Sequence, residues 1–336
     1  MDDAALKEWF KLSDETKKNI FNEISAKTNI PAAAVEKDWW VVRTLDLIFQ
    51  MEVGPHTVFK GGTSLSKAWN LIDRFSEDID LALDKKFLGF AEIRSNSHVT
   101  KLREASYQFI SEKFYPALIE TYKKAGFDVK LKKEETIAHD QDPIIIEVHY
   151  KTVTEPLDYL PSRVLIEIGS RSLMEPSSQK TFCSLIGEHF ADIPFADKTI
   201  TIPVVNPEKT FLEKIFLLHE NFQLPPQKMN VERLSRHFYD IEKIMDTEYG
   251  KKAFQNKELY NHIIEHRKIV NPLRGIDYAN HSPDKIYLLT PDDILEEWRK
   301  DYKQMQESMI YKESLSFDKL IDRIKKLKDR INKLKF

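Results

Sequence analysis

A single cysteine, Cys183, in 336 residues excludes an internal disulfide framework and any zinc site built from thiolates. One lone thiol reads as a small buried side chain rather than a nucleophile. No apolar run reaches the roughly 18–20 residues that cross a bilayer. The opening Met1-Asp2-Asp3-Ala4-Ala5-Leu6-Lys7 has neither the basic start nor the apolar centre of a secretory signal, so a cytoplasmic location with no membrane partner is expected. A large excess of charge is missing too: the net value of −3 argues against coating nucleic acid by bulk electrostatics and leaves room only for a local basic patch. No Gly-x-Ser-x-Gly elbow, Walker lysine motif or dinucleotide fingerprint occurs. His262 and His266 stand four apart on an expected helix but bring no third ligand, and His219 and His237 lie elsewhere, so zinc is not expected. Internal repeats and low-complexity linkers are also missing.

What remains is a chain that is 41% hydrophobic, able to bury a substantial core and long enough for two lobes. Its most informative stretch runs from Val58-Phe59-Lys60-Gly61-Gly62-Thr63-Ser64-Leu65 to Arg74-Phe75-Ser76-Glu77-Asp78-Ile79-Asp80-Leu81-Ala82-Leu83. It reads as strand, glycine turn, helix, strand. The glycines allow a sharp turn and close approach of a ligand, and the helix opening at Thr63 or Ser64 aims free N–H groups at the turn, where a phosphate is the simplest occupant. In Asp78 to Leu83 the alternation sets both carboxylates on one strand face and Ile79, Leu81 and Leu83 toward a core. Two adjacent carboxylates repel unless a hard cation bridges them, and Mg²⁺ with substrate phosphates is the usual solution.

Around this block, helices are expected over Asp2 to Leu12, Thr16 to Thr28 behind the cap Ser13-Asp14-Glu15, and Ala32 to Phe49, whose Trp39 and Trp40 read as core. A long helix follows over Val99 to Lys124, stopped at Gly126. Strands are expected over Phe127 to Lys132, Ile144 to Tyr150, Arg163 to Gly169 and Ile200 to Val205. Beyond Glu208 nearly every segment has helical spacing: Glu208 to Asn221, Val231 to Met245, Lys252 to Val270, Pro291 to Tyr311, and the tail. The expected class is α/β (α+β): a mixed sheet flanked by helices over 1–200, then a helical lobe over 201–336.

The glycine turn followed by Asp-x-Asp resembles the DNA-polymerase-β-like nucleotidyltransferase superfamily. The fuller string Phe59 to Leu65 with Arg74 to Asp80 is similar to the AbiEii/AbiGii toxin family, although the gap from Gly62 to Asp78 is longer than in polymerase-like members. The resemblance implies a nucleotidyltransferase that uses an NTP and two Mg²⁺ ions, and the toxin of a toxin–antitoxin or abortive-infection pair acting against phage, with a cognate antitoxin. Some relatives modify the 3′ end of tRNA, which makes tRNA the leading acceptor. Protein side-chain hydroxyls, or a non-catalytic nucleotide-binding module, are the alternatives.

A two-metal site generally needs a third carboxylate. Glu147 and Glu167 each sit alone in an apolar strand, where an unpaired acid is costly, and the residues leave both open. The resemblance favours Glu167, with Glu147 exposed or paired to Arg163. A cation is expected near the triphosphate, and Lys214 lies on an otherwise apolar helix, where snorkelling to the surface is the plain alternative. By resemblance Lys214 is a triphosphate ligand, and Asp240, in Arg233-Leu234-Ser235-Arg236-His237-Phe238-Tyr239-Asp240, orients Lys214 or Arg236. On a helix Arg233, Arg236, His237 and Asp240 would share one face, where a structural ion-pair network is equally open. The expected nucleotide-binding set is thus Gly61, Gly62, Thr63, Ser64, Arg74, Ser76, Lys214 and Arg236. Asp78, Asp80 and Glu167 are the expected metal ligands. These three acids, with Lys214 and Asp240, form the expected catalytic set.

The tail from Ser316 to Phe336 carries eight Lys and Arg against three Asp. Its apolar residues recur at three- and four-residue steps. It reads as a docked amphipathic helix with a solvated basic face that is also able to hold RNA.

Overall fold

The structure is a computed structural model and describes residues 4–76, 78–93, 95–135, 138–157 and 160–336. Asp2 and Asp3 of the expected first helix, and Glu77 of the motif, lie outside the described residues. The chain divides into two compact units: Met1–Ala68, Phe75–Glu92 and Ser97–Val204 form the first, and Trp69–Arg74, Ile93–Asn96 and Val205–Phe336 the second.

Three helices open the first unit: α1 (Ala4–Lys11), α2 (Asp14–Thr28) and α3 (Ala32–Phe49). Ser13 caps α2 by accepting the Thr16 N–H at 3.1 Å. Strand β1 (Thr57–Lys60) runs into the short helix α4 (Gly61–Lys67), and β2 (Asp78–Leu83) returns beside it. Next come α5 (Asn96–Phe109) and α6 (Tyr115–Lys124), joined by a π-helical turn over Ile110–Phe114. That turn falls just before Pro116, whose missing N–H and ring forbid a regular α turn there, so the expected single helix is interrupted without being broken.

Strands β3 (Val129–Lys133), β4 (Ile144–Tyr150), β5 (Arg163–Gly169), β6 (Ser177–Phe182) and β7 (Ile200–Val205), with the small helix α7 (Leu185–His189), complete a seven-stranded sheet of order β3-β4-β5-β2-β1-β7-β6. It is mixed: β1 pairs antiparallel with β2 and parallel with β7, β2 parallel with β5, and β4 antiparallel with both β3 and β5. Strand β6 was not foreseen, because Ser-Ser-Gln-Lys-Thr-Phe offers no apolar alternation and the strand is held at a sheet edge.

The two sheet faces differ in chemistry. Ile79, Leu81, Ile144, Ile146, Ile166 and Ile168 are sealed on one side. Helices α3 and α6 pack there, with Trp40 of α3 stacked on Tyr150 at 4.7 Å between centroids. Trp39 is core as expected, 2% exposed and 4.9 Å from Trp9. On the opposite face Asp78, Asp80, Leu165 and Glu167 are only half-buried.

The second unit is helical: α8 (Pro207–Gln223), α9 (Ser235–Ile244), α10 (Glu248–Gln255), α11 (Lys257–Val270), α12 (Leu295–Ser308) and α13 (Phe317–Ile331). Helix α8, buried on most of its circumference, is packed by α9, α10 and α11, while α12 and α13 pack on α9. The expected helix over Lys252 to Val270 is two helices, with Asn256 ending the first and capping the second. The basic tail docks as expected through Phe317, Leu320, Ile324, Leu327 and Ile331. Several of its cations are already paired: Arg323 with Glu242 and Asp246, Arg330 with Asp246, and Lys328 with Asp329.

Candidate active site

In the first unit the glycine turn is built around a carboxylate. Gly61 has φ +80°, and a Cβ there would overlap the Asp80 carboxylate, so position 61 has to be glycine both for its backbone and for the space it leaves. The hydroxyl of Thr63 donates to the carbonyl of Asp78 at 2.5 Å and lies 3.0 Å from Ser76 Oγ, whose own hydroxyl is left to donate. Ser64 donates to the Gly61 carbonyl at 2.9 Å. Thr63 therefore stitches the turn to β2 while Ser64 closes the turn on itself, and with both hydroxyls engaged what the turn offers a ligand is backbone. Ser76, expected beside the nucleotide, is part of the same stitching.

Register brings the acids together. Asp80 lies opposite Glu167 on β5 and opposite Lys60 on β1, and Asp78 lies opposite Leu165. Lys60 Nζ stands 3.9 Å from Asp80 Oδ1. Burial, and then the charges of Asp80 and Asp78, hold the Glu167 carboxyl above the usual carboxylate range, against the opposing pull of Lys60 and Arg171. The second candidate acid is placed differently: Glu147 accepts from Arg163 Nη1 at 2.7 Å and contacts His149 Nε2 at 2.6 Å, the pairing foreseen for it. Among the described residues no three carboxylate, imidazole or thiol groups converge into a ready-made metal cage.

In the second unit a buried ion cluster surrounds Asp240. Arg74 donates from Nε to Oδ1 at 2.7 Å and from Nη2 to Oδ2 at 2.8 Å, a bidentate pair, and Lys214 Nζ reaches Oδ2 at 2.9 Å. Asp240 is wholly buried, Arg74 2% and Lys214 8% exposed. Burial works to raise the Asp240 carboxyl, but Arg74 and then Lys214 overcome it and hold it far below its ordinary value. Lys214 is therefore no snorkelling lysine. Its ammonium, drawn down by burial against the pull of Asp240, also donates to His237 Nδ1 at 3.3 Å. Burial and the neighbouring Lys214 and Arg236 charges push His237 well below its usual value, so it is a neutral acceptor.

Asp240 pairs with Lys214, one of the two partners expected for it, and Arg74 adds a bidentate pair to the same carboxylate. One expectation changes. Arg233 does not share a helical face with Asp240: it has φ +60° ahead of α9, and its N–H bonds Asp301 at 2.7 Å. Sequence reasoning also assigned no role to Lys60 and Arg171. The register of a β1–β2 hairpin-like pair would have found Lys60, while Arg171 follows β5 in a turn held by Asp142, which accepts the Ser170 N–H and Oγ–H. Cys183 is half-buried, with burial pushing its thiol up to about 11, a poor nucleophile.

No curated protein sequence matches the chain. Among solved structures it is similar to MenT4, a nucleotidyltransferase toxin from Mycobacterium tuberculosis, at 17% identity and a TM-score of 0.46, with 96% of this chain and 98% of that one covered. The profile of the family described as nucleotidyl transferase AbiEii toxin, type IV TA system, matches residues 45–323, a span that holds the glycine turn, all three sheet acids and the Asp240 cluster. The chain belongs to the AbiEii family of nucleotidyltransferase toxins.

Proposed function

We propose that this toxin transfers an NMP from an NTP to the 3′ hydroxyl of a tRNA with Mg²⁺ as its metal, and that a cognate antitoxin restrains it in a system directed against phage. The observation that carries the chemistry is Asp80 set opposite Glu167, with Asp78 on the same sheet face and the Gly61 turn closed over the Asp80 carboxylate. This donor set is all oxygen and mutually repulsive, which suits a hard cation. Mg²⁺ is usually held by one or two carboxylates, with water and substrate phosphates completing its shell, so no preformed protein cage is needed. Asp78, Asp80 and Glu167 would hold two such ions, which supply charge neutralisation at the phosphates and a more acidic attacking hydroxyl.

The chain's own groups do the rest. Backbone N–H groups from Gly61 to Ser64 cradle the β- and γ-phosphates. By family membership Lys214, held by Asp240 and His237, is assigned as the triphosphate ligand, with Arg236 as a further source of positive charge. Arg74 fixes the Asp240 carboxylate, so Lys214 is presented in one orientation. Glu167 takes the proton of the acceptor hydroxyl; its oxygen forms a bond to the α-phosphorus, the bond from that phosphorus to the bridging oxygen breaks, and pyrophosphate leaves.

The test is incubation of the purified protein with each labelled NTP, Mg²⁺, and either tRNA or whole-lysate protein, alongside Asp80→Ala. Labelled tRNA with the parent and none with the variant is expected. Label on protein alone would replace the acceptor, and nucleotide binding without transfer would make the chain a regulatory module.

A further inference from the structure

The sheet face that carries the acids continues past them onto β5, β4 and β3, and register fixes what lies there. Pairing sets Ile145 beside Glu167, Glu147 beside Leu165 and His149 beside Arg163. On the next strand Lys132 lies beside Glu147 and Lys130 beside His149. Directly paired residues point to the same side of a sheet, so Lys130, Lys132, His149 and Arg163 share the face of Glu167. On β4 and β5 the residues of the opposite parity are sealed beneath the helices. Lys130 and Lys132 are exposed, and the others half-buried. One acid, Glu147, stands among three cations, and both its oxygens are engaged by Arg163 and His149. Both basic side chains are thereby held in place.

We propose that this half of the sheet face is the docking platform for the acceptor, a single-stranded RNA end that enters over Lys130 and Lys132 and places its terminal hydroxyl at Glu167. The inference rests on the reading of Asp78, Asp80 and Glu167 as the transfer site, and adds where the acceptor lies. A polyanion is the complement of Lys130, Lys132 and Arg163, while the His149 ring offers a flat surface and Ile145 and Leu165 apolar contact to bases. An open sheet face of this width suits about two or three bases. Arg163 is four residues from Glu167, roughly 13 Å along the strand, a span of a few nucleotides. The lysines of β3 also blunt an edge strand against unwanted pairing, a role indifferent to RNA, so binding separates the two.

The experiment uses the full chain as parent, Lys130→Glu/Lys132→Glu, Lys130→Gln/Lys132→Gln, and Lys325→Glu/Lys326→Glu on α13, each checked for parental circular dichroism. A fluorescent single-stranded oligoribonucleotide and tRNA are titrated from 50 to 200 mM salt, with NTP binding measured in parallel. The two sheet variants should lose at least tenfold in RNA affinity, with a shallower salt dependence from the lost phosphate contacts and unchanged NTP binding. Parental RNA affinity in both sheet variants would overturn the platform, whether the loss appears in the α13 variant or nowhere. A parent that binds no RNA and labels only protein would overturn it too. Transfer by Asp80→Ala would instead remove the reading of the acids on which the platform rests.

Discussion

At the scale of single residues, two kinds of charged group do different work. Asp240 and Lys214 are buried in a paired cluster, so removing one leaves the other charge desolvated and short of a partner. Asp240→Ala should therefore cost about 3–5 kcal/mol, seen as a lowered urea midpoint, and Asp240→Ala and Asp240→Asn should both lose transfer. Lys214→Ala leaves Arg74 on Asp240 and should remain folded, with transfer down by roughly 10–1,000-fold, the loss expected for one preorganised charged contact to reacting phosphates. Parental kinetics in Lys214→Ala would reduce the cluster to a structural ion network. Asp80 is half-buried and faces other acids, so Asp80→Ala should keep or slightly raise the melting temperature while transfer disappears.

Among elements, the turn between β1 and α4 and the pairing of β5 with its neighbours decide the site. Gly61→Ala adds a Cβ to a left-handed residue against the Asp80 carboxylate. The backbone strain alone costs about 1–2 kcal/mol. The variant should be both less stable and inactive, and a crystal structure or a nucleotide titration would show Asp80 displaced. Strands β4 and β5 each present an acid, but only Glu167 lies opposite Asp80, whereas Glu147 is taken up by Arg163 and His149. Glu167→Gln should therefore slow single-turnover transfer far more than Glu147→Gln, and the reverse order would move the third carboxylate to β4.

For the whole molecule, buried neutral histidines set the acid limit. Burial, aided by His281, draws His219 down to about 4, and His237 is pushed well below its ordinary value. Their folded-state values lie below the unfolded 6.5, so the unfolded chain binds more protons as pH falls. Stability is full above about pH 6.5 and is lost on acidification, for His219 down to about pH 4. The slope is up to about 1.4 kcal/mol per pH unit for each histidine. Urea midpoints at pH 7, 5.5 and 4.5 should fall in that order, and His219→Gln should flatten part of the decline; a midpoint constant across this range would show that neither imidazole is kept neutral by the fold.

Local periodicity sufficed for what depends on neighbours in the chain. The bounds of α3, β4, β5 and β7, the amphipathic α13, and the placing of Asp78 and Asp80 on one strand face all follow from the alternation of apolar side chains. The family was legible because a glycine turn and an Asp-x-Asp strand are close in sequence. Partnerships across the chain were not: Arg74 binds Asp240 over 166 residues, Asp80 meets Glu167 through strand order, and β6 is a strand because an edge accepts its polar sequence. Spacing alone sets Arg233 on the helix with Asp240, because it does not reveal the left-handed backbone that Arg233 adopts ahead of α9. Which of two equivalent acids faces Asp78 and Asp80, and whether a buried lysine finds a counter-ion, are set by sheet register and helix packing, since these bring together groups that no local pattern connects.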